Sequence, residues 1–477
     1  MLLRDAQAVS FALCPQCLAV MRLTFSSINP ATDEPIDSHE AHMPDAVDER
    51  LDRAQSAAQR QRARSFEEQA EQLNALADAL TNQVDVHAKL MTREMGKPLA
   101  QARGEVKKCA WVCRHYADHG AQMLAPDAVE TEAMRSYVRY EPLGVVLAIM
   151  PWNYPFWQVM RFGVPALMAG NAFLLKHAPN VMGCAEALAT LFHEAGFDDG
   201  TVQTLRIDES AVADCIADRR VQAVTCTGSV AAGKAVARQA AAHLKPTVLE
   251  LGGSDPFIVL ADADLDAAVE TAVQARMQNN GQSCIAAKRF IVEADIADEF
   301  TAGVVDAVES LTVGDPMDPA TDIGPLARPD LRDTVRDQID RACTNGAARA
   351  ATAAAPDDSA GYYVAPTVLT DVQPGSVAFR EEIFGPVASI VKAENADHAV
   401  DLANNTRFGL GGAVFTGDAE RGEHIAQQLE VGCAAVNSMV KSDPRLPFGG
   451  IKDSGYGREL GVLGLREFVN PKSVWVA

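Results

Sequence analysis

The fold of this chain is decided by the stretch Gln278-Asn-Asn-Gly-Gln-Ser-Cys284, which runs into the strand-like segment Lys288-Arg-Phe-Ile-Val-Glu293. Gly281 permits backbone conformations that other residues resist, so a turn is predicted ahead of the cysteine. A thiol on such a turn projects out of the regular structure and can meet a ligand. A lone cysteine is more often buried and inert, and the turn alone leaves both interpretations open.

Two further segments supply groups that a reactive thiol would use. Glu250-Leu-Gly-Gly-Ser-Asp255 places a carboxylate beside a Gly-Gly kink, and Pro151-Trp-Asn-Tyr-Pro155 offers a side-chain amide between two prolines. A nucleophile, a general base and a donor for an oxyanion are the parts that oxidation of an aldehyde through a thiol requires. We therefore predict Cys284, Glu250 and Asn153 as the catalytic residues.

The chain resembles the aldehyde dehydrogenases from about Ile28 to its C-terminus. The resemblance rests on six segments that occur in one order, namely Pro151-Trp-Asn-Tyr-Pro155, Thr227-Gly-Ser229, Glu250-Leu-Gly-Gly253, Gly281-Gln-Ser-Cys284, Glu382-Ile-Phe-Gly-Pro386 and Pro447-Phe-Gly-Gly-Ile-Lys452. It implies an α/β fold with two doubly wound parallel-sheet αβ domains and a small β oligomerisation flap. It also implies a small aldehyde as substrate and NADP or NAD as cofactor.

Composition limits the classes of partner. Lys and Arg number 42 against 64 Asp and Glu, which gives a net charge of −22. Nucleic acid and anionic membranes both require a basic surface, so neither is an expected partner. No apolar run reaches the roughly 18 residues that span a bilayer. The 477 residues suffice for two or three domains.

The cysteines do not indicate a disulfide framework or a metal site. Ten of them are scattered along a long chain, which favours a reducing, cytoplasmic location. Cys14-x-x-Cys17 has a zinc-ligand spacing, but no second pair follows it at the distance that zinc sites use. We therefore expect no metal.

Segments that read as strands and helices alternate from Gly144 onward, which predicts parallel, doubly wound sheets with ligands at the carboxyl ends of the strands. Residues 315–361 read as a long, loop-rich interruption. The predicted divisions are a disordered extension (1–22), a cofactor-binding domain (23–128 and 142–250, with 444–458 returning to it), a catalytic domain (251–443) and an oligomerisation segment (129–141 and 459–477). The resemblance implies that this last segment pairs across the interface of a homodimer or homotetramer, and a local hairpin is the alternative.

The predicted cofactor residues follow two strands. Gly228 and Ser229 link a strand to a helix, where backbone N–H groups can bind a phosphate, although an ordinary turn would look the same. Lys176 ends another strand, within reach of an adenine ribose. The family pattern has Glu three residues later, but Pro179 stands there, which removes repulsion against a 2′-phosphate. We therefore predict that NADP is accepted.

Three further positions are assigned by the resemblance alone. It implies that Glu382 and Phe384 hold the nicotinamide ribose and ring, and that Trp152 is also a cofactor-binding residue. Without it, Glu382 would be interpreted as a surface acid.

The substrate prediction starts from Arg161, eight residues after Asn153 on an otherwise apolar helix. A buried charge there must be paired, either with an internal acid or with a substrate carboxylate. The position matches the arginine of the succinate-semialdehyde branch of the family, in which Ser442 could add a hydroxyl and Arg445 a second charge. The predicted function is oxidation of succinate semialdehyde, or a similar carboxylated aldehyde, through a thiohemiacetal and a thioester on Cys284.

Three alternatives remain open at this point. A broad-specificity enzyme for uncharged aldehydes would use the same chemistry. A CoA-acylating enzyme would transfer the acyl group to CoA, and such enzymes generally lack the general base that Glu250 provides. A binding protein on the same fold would not require Cys284, Glu250 and Asn153 together.

Overall fold

The structure is a computed structural model that describes residues 23–356 and 361–477. The expectations for residues 1–22, including the Cys14-x-x-Cys17 spacing, lie outside the described residues. The strands are β1 (Thr24–Asn29), β2 (Glu34–Glu40), β3 (Asp127–Ala128), β4 (Arg135–Pro142), β5 (Val145–Ile149), β6 (Ala172–Lys176), β7 (Val202–Thr204), β8 (Val221–Thr227), β9 (Thr247–Glu250), β10 (Asp255–Val259), β11 (Ala287–Glu293), β12 (Ala348–Thr352), β13 (Thr367–Thr370), β14 (Val387–Ala393), β15 (Gly411–Phe415), β16 (Cys433–Val436), β17 (Gly455–Tyr456) and β18 (Val469–Val476).

The α-helices are α1 (Pro44–Ala63), α2 (Phe66–Asn82), α3 (Val84–Met95), α4 (Leu99–Met123), α5 (Trp157–Met168), α6 (Met182–Glu194), α7 (Glu209–Ala217), α8 (Val230–Ala242), α9 (Leu265–Met277), α10 (Ala297–Glu309), α11 (Pro329–Thr344), α12 (Val377–Arg380), α13 (Ala396–Asn404), α14 (Ala419–Ala426) and α15 (Gly461–Arg466). Within the described ranges, none of these helices combines the length and the apolar character that crossing a bilayer requires.

A six-stranded sheet in the order β17-β9-β8-β5-β6-β7 forms the first αβ unit. Its strands are parallel except for β17, which pairs antiparallel with β9. Residues Val145–Leu147 and Ala172–Leu174 are buried, as strands covered on both faces should be. The doubly wound parallel sheet predicted for this part of the chain is confirmed.

A seven-stranded sheet in the order β12-β13-β14-β11-β10-β15-β16 forms the second unit, and all but β12 run parallel. The interruption predicted for residues 315–361 is wrong in part, because the 16-residue helix α11 lies inside it. Pro329 at its first turn and the buried Val335, Ile339 and Ala342 at helical spacing explain why a helix forms there.

A small sheet in the order β18-β4-β3 completes the fold. Strand β18 pairs antiparallel with β4 over eight positions, from Val469 opposite Pro142 to Val476 opposite Arg135. The two segments predicted for oligomerisation therefore pair with each other within one chain. Strand β18 remains an edge strand, and the Trp475 side chain on it is exposed.

Candidate active site

The turn before Cys284 has three consecutive residues in the left-handed region. Asn279, Asn280 and Gly281 have φ values of 57°, 58° and 72°. Asparagine tolerates this region better than most residues, whereas a Cβ at Gly281 would lie 2.3 Å from the carbonyl carbon of Gly385. The sequence therefore reverses the chain between α9 and β11 and presents Cys284 on the turn.

Buried amide side chains fix this turn. The Asn280 side chain donates to the carbonyls of Gly96 and Pro325 at 2.9 Å and accepts from the Gly324 N–H at 2.8 Å. The Asn279 side chain donates to the carbonyls of Asn153 and Gln282 at 2.8 and 2.9 Å. These bonds join the turn to distant parts of the chain, so the position of Cys284 depends on the whole fold.

Cys284 lines a cavity of about 420 Å³ between the two αβ units. Polar and charged side chains from α4 and α5 line the same cavity, namely Gln101, Glu105, Lys108, Gln158 and Arg161. Burial raises the pKa of the Cys284 thiol to about 12, and the cations Arg161 and Lys288 oppose that rise. The thiol is therefore protonated near neutral pH, and a further change must activate it.

Lys288 is the cation that holds the cysteine backbone. Its Nζ donates to the carbonyls of Ser283 and Cys284 at 2.9 and 2.7 Å and lies 3.3 Å from Oε1 of Glu382. The same Glu382 oxygen accepts from the Gly253 N–H at 3.0 Å. Glu382 is therefore not an isolated surface acid.

Glu250 is the last residue of β9, and its side chain is buried. Its Oε1 has no hydrogen-bond partner among the described residues. Burial raises the pKa of Glu250 well above its usual value, Arg161 opposes this, and Glu459 adds to it. Arg161 opposes the rise in the pKa of both Cys284 and Glu250, whereas Glu250 does not line the cavity that Cys284 lines.

Asn153 lies against the cysteine turn but does not line the cavity. Its side-chain amide donates to the carbonyl of Gln282 at 3.1 Å, two residues before Cys284. An amide nitrogen carries two N–H donors, so one remains for an oxyanion. The structure thus brings the predicted amide to the thiol turn and gives it one acceptor already.

Arg161 lies on α5 with 1% of its surface exposed. It forms an ion pair with Glu459, so its charge has the internal acid as a partner. Its Nη2 nevertheless has no partner among the described residues, and the residue lines the cavity. The guanidinium also stacks over the Phe448 ring, 4.5 Å from its centroid. The arginine is therefore both paired and accessible to a ligand.

Ser442 lines the cavity, whereas Arg445 does not. The Ser442 Oγ accepts from Nζ of Lys108 at 2.7 Å and from Nε1 of Trp157 at 3.0 Å. Arg445 is exposed and makes two bonds to Asp443 at 2.8 and 2.6 Å. Arg445 is therefore paired with Asp443, two residues earlier, and lies outside the cavity lining.

The predicted phosphate-binding turn lies at the N-terminus of α8. Ser229 caps this helix by accepting from the Ala232 N–H at 3.2 Å, and a Cβ placed at Gly228 would meet nothing within 4 Å. The remaining N–H groups of a helix's first turn have no intrahelical acceptor. An open turn with a capped helix behind it fits a dinucleotide phosphate.

The other predicted cofactor positions lie at the ends of β5 and β6 and in the segment between α12 and β14. Lys176 ends β6, burial lowers its pKa, and the nearby Glu209 opposes that shift. Pro179 is exposed and opens a short 3-10 turn. The rings of Trp152 and Phe384 meet edge to face, with centroids 5.8 Å apart.

Sequence reasoning missed four charged residues around the cavity. Glu105 accepts from the N–H groups of Phe156 and Trp157 at 2.9 Å, and its other oxygen pairs with Lys97. The remaining two, Lys108 and Glu459, come from helix α4 and from the segment before α15. The signal in α4 was available, because Glu105 and Lys108 interrupt a helical face that is otherwise apolar.

No group of three or more His, Cys, Asp or Glu side chains in residues 23–356 and 361–477 is arranged to hold a metal ion.

Comparison with known proteins identifies the family. A model of the aldehyde dehydrogenase family matches residues 20–474. A relative from Synechocystis sp., named as a probable succinate-semialdehyde dehydrogenase of NADP+, is 50% identical over 455 residues, which cover 95% of this chain and 100% of the relative. Succinate-semialdehyde dehydrogenase 1 of Mycobacterium tuberculosis, also named for NADP+, is 49% identical and covers 95% of this chain and 100% of its own length.

A solved structure gives the same result. The succinic semialdehyde dehydrogenase of Streptococcus pyogenes, in complex with NADP+, superposes with a TM-score of 0.93 at 36% identity, over 95% of this chain and 99% of that chain. The resemblance and the fold predicted from the sequence are thereby confirmed. The chain belongs to the aldehyde dehydrogenase family.

Proposed function

We propose that the chain oxidises succinate semialdehyde, or a similar small aldehyde that carries a carboxylate, to the corresponding acid with NADP or NAD. The observation that carries this proposal is one cavity lined by both Cys284 and the guanidinium of Arg161. In this cavity the Cys284 thiol can react with an aldehyde group while Arg161 binds a carboxylate group of the same substrate. Relatives at about half identity carry the name of this activity.

The first step is carried by Cys284. After the thiol gives its proton to water, its sulfur bonds to the aldehyde carbon, the π bond of the carbonyl group breaks, and its oxygen becomes the alkoxide of a thiohemiacetal. The Cys284 backbone N–H and the second N–H of the Asn153 side chain are the donors for that oxygen. One such donor is typically worth about 2.7–4 kcal/mol.

The nicotinamide cofactor, when bound, would supply the two-electron acceptor that converts the thiohemiacetal into a thioester. The open α8 turn with Gly228 and Ser229 would hold its phosphates, Lys176 its adenine ribose, and Glu382 its nicotinamide ribose. Pro179 places no carboxylate near a 2′-phosphate, which supports use of NADP.

Glu250 completes the reaction. In its ionised form it takes a proton from water, the resulting hydroxide attacks the thioester carbon, and the carbon–sulfur bond breaks to release the acid and the Cys284 thiolate. Burial raises the pKa of Glu250 well above its usual value, and the carboxyl acts as a base only in its ionised form. A carboxyl in this place favours hydrolysis over transfer to CoA.

We also propose the division of the chain into a cofactor-binding domain (23–128, 142–250 and 444–458), a catalytic domain (251–443) and an oligomerisation segment (129–141 and 459–477). The pairing of β17 with β9 supports the return of residues 444–458 to the first domain. The free edge of β18 supports assembly into a homodimer or homotetramer, because an unpaired edge can add another strand.

The test is a comparison of succinate semialdehyde with butanal, each with NADP and with NAD, in the absence of CoA. We expect reduction of the cofactor without CoA, a higher kcat/KM for the carboxylated aldehyde, and no reduction by Cys284→Ala. Equal efficiency with butanal would support the broad-specificity alternative instead. Reduction only in the presence of CoA would overturn the hydrolytic mechanism.

A further inference from the structure

Lys108 is a cation in the substrate cavity that the proposed reaction has not used. It lies on α4 and lines the same cavity as Cys284 and Arg161. Its Nζ donates to Oγ of Ser442 at 2.7 Å and lies 4.2 Å from the centroid of the Trp157 ring. Neither of these partners is an acid.

The other cations near this wall already have carboxylate partners. Lys97 pairs with Glu105, and Arg161 pairs with Glu459. Within residues 23–356 and 361–477, no ion pair includes Lys108. Burial lowers its pKa to about 8, and the nearby Arg161 adds to that shift. Lys108 is half-buried, and a partly desolvated charge without a counter-ion is unfavourable, so an anionic ligand would stabilise it.

Three acids near Lys108 could pair with it, and all are engaged elsewhere. Glu105, one turn earlier on α4, pairs with Lys97. Asp443 makes two bonds to Arg445. Asp322 also lines the cavity, and its carboxylate accepts from the Thr312 N–H at 2.9 Å.

The bonds to Ser442 also fix the direction of its hydroxyl proton. A hydroxyl has one donor and two acceptor lone pairs. Because Oγ accepts from both Lys108 and Trp157, both lone pairs are used and the proton is left for an acceptor in the cavity. Lys108 therefore makes Ser442 a donor toward an anion.

We propose that Lys108 is the second cation of the subsite that binds the substrate's carboxylate, together with Arg161 and with the hydroxyl of Ser442 that it orients. The proposal rests on the proposed function. It assigns the second positive charge to Lys108, which lines the cavity, and not to Arg445, which does not. It predicts that discrimination between carboxylated and uncharged aldehydes depends on the charge at position 108. A lysine that only packs on Trp157 would not affect that discrimination.

The experiment compares wild type, Lys108→Met and Lys108→Arg, with Lys107→Met as the matched control. Methionine keeps the apolar stem and loses the charge, whereas arginine keeps the charge. Lys107 is the exposed neighbour on the same helix, so its loss changes the net charge equally. The readout is kcat/KM for succinate semialdehyde divided by kcat/KM for butanal.

We expect this ratio to fall by about tenfold or more in Lys108→Met, mainly through KM for the semialdehyde, because a charge-assisted contact is lost. Arginine at the position should restore most of it, and Lys107→Met should match wild type. A ratio within about twofold of wild type in Lys108→Met would overturn the assignment.

Binding of succinate, measured by calorimetry, provides a readout that needs no turnover. It tests the role of Lys108 separately from the proposed substrate class. Weaker succinate binding in Lys108→Met than in wild type supports the assignment, and equal binding contradicts it. A wild-type enzyme that does not prefer the semialdehyde over butanal contradicts the proposed substrate class, whatever the succinate affinities are.

Discussion

Replacing Arg161 by methionine removes one half of a buried ion pair and leaves Glu459 without its partner. Both side chains are almost fully buried, at 2% and 1% exposure. Removing one partner of such a pair typically costs about 3–5 kcal/mol, because the remaining charge is uncompensated. We therefore expect Arg161→Met to lower the free energy of unfolding by about that amount.

A second variant separates this stability effect from substrate binding. Replacing a buried pair by apolar residues is often close to neutral, so Arg161→Met with Glu459→Leu should recover most of the lost stability. The substrate contact would still be missing in the double variant. Hydrogen bonds to charged groups contribute about 1.5–3 kcal/mol, which corresponds to roughly 10- to 150-fold in relative kcat/KM.

The assays are denaturant titration at one protein concentration and kinetics with succinate semialdehyde and butanal. We expect the single variant to be destabilised and the double variant to be nearly as stable as wild type, with the preference for the carboxylated aldehyde lost in both. A double variant that is stable and retains the preference would refute the substrate role of Arg161. The guanidinium would then serve only to neutralise Glu459.

Three further predictions follow from the cofactor site, the thiol and the turn. Pro179→Glu should lower the ratio of kcat/KM with NADP to kcat/KM with NAD by about tenfold or more, because it adds a negative charge beside the 2′-phosphate. An unchanged ratio would contradict the assignment of Lys176 and Pro179 to the adenine ribose site. Burial raises the pKa of the Cys284 thiol to about 12. The rate of Cys284 alkylation by iodoacetamide in the cofactor-free enzyme should therefore rise about tenfold per pH unit from pH 7 to 10 without levelling off, and Lys288→Met, which removes a cation that opposes the rise in pKa, should slow it further. A plateau in the rate below pH 9 would show an activated thiol instead. Asn280→Ala leaves the carbonyls of Gly96 and Pro325 and the N–H of Gly324 without this hydrogen-bond partner. We expect the free energy of unfolding, measured by denaturant titration, to fall by about 2 kcal/mol or more. A fall of less than about 0.5 kcal/mol would show that the turn does not depend on this side chain.

The local features of the site were predictable from the sequence because their signals are local. Gly281 predicted a turn before Cys284, and the alternation of strands and helices predicted the sheets whose ends carry Glu250 and Ser229. The buried Ala102, Val106 and Ala110 of α4 recur at helical spacing, and such a pattern depends only on neighbouring residues.

Long-range pairing could not be predicted in the same way. Glu459, the partner of Arg161, is 298 residues away, and Lys108 and Ser442 are 334 residues apart. No periodicity connects residues at such separations. Arg445 was assigned from its closeness to a motif, and its ion pair with Asp443, two residues earlier, could not be inferred from that motif.

The central claim is that Cys284 forms a thioester that Glu250 then hydrolyses, and rapid mixing of the Glu250→Gln variant with succinate semialdehyde and NADP tests it most directly. Glutamine keeps the size of the side chain but cannot take a proton from water. The mechanism predicts a burst of about one NADPH per active site followed by slow turnover, with a succinyl group found on Cys284 by mass spectrometry. Equal loss of burst and turnover, or an acyl group on another residue, would contradict it.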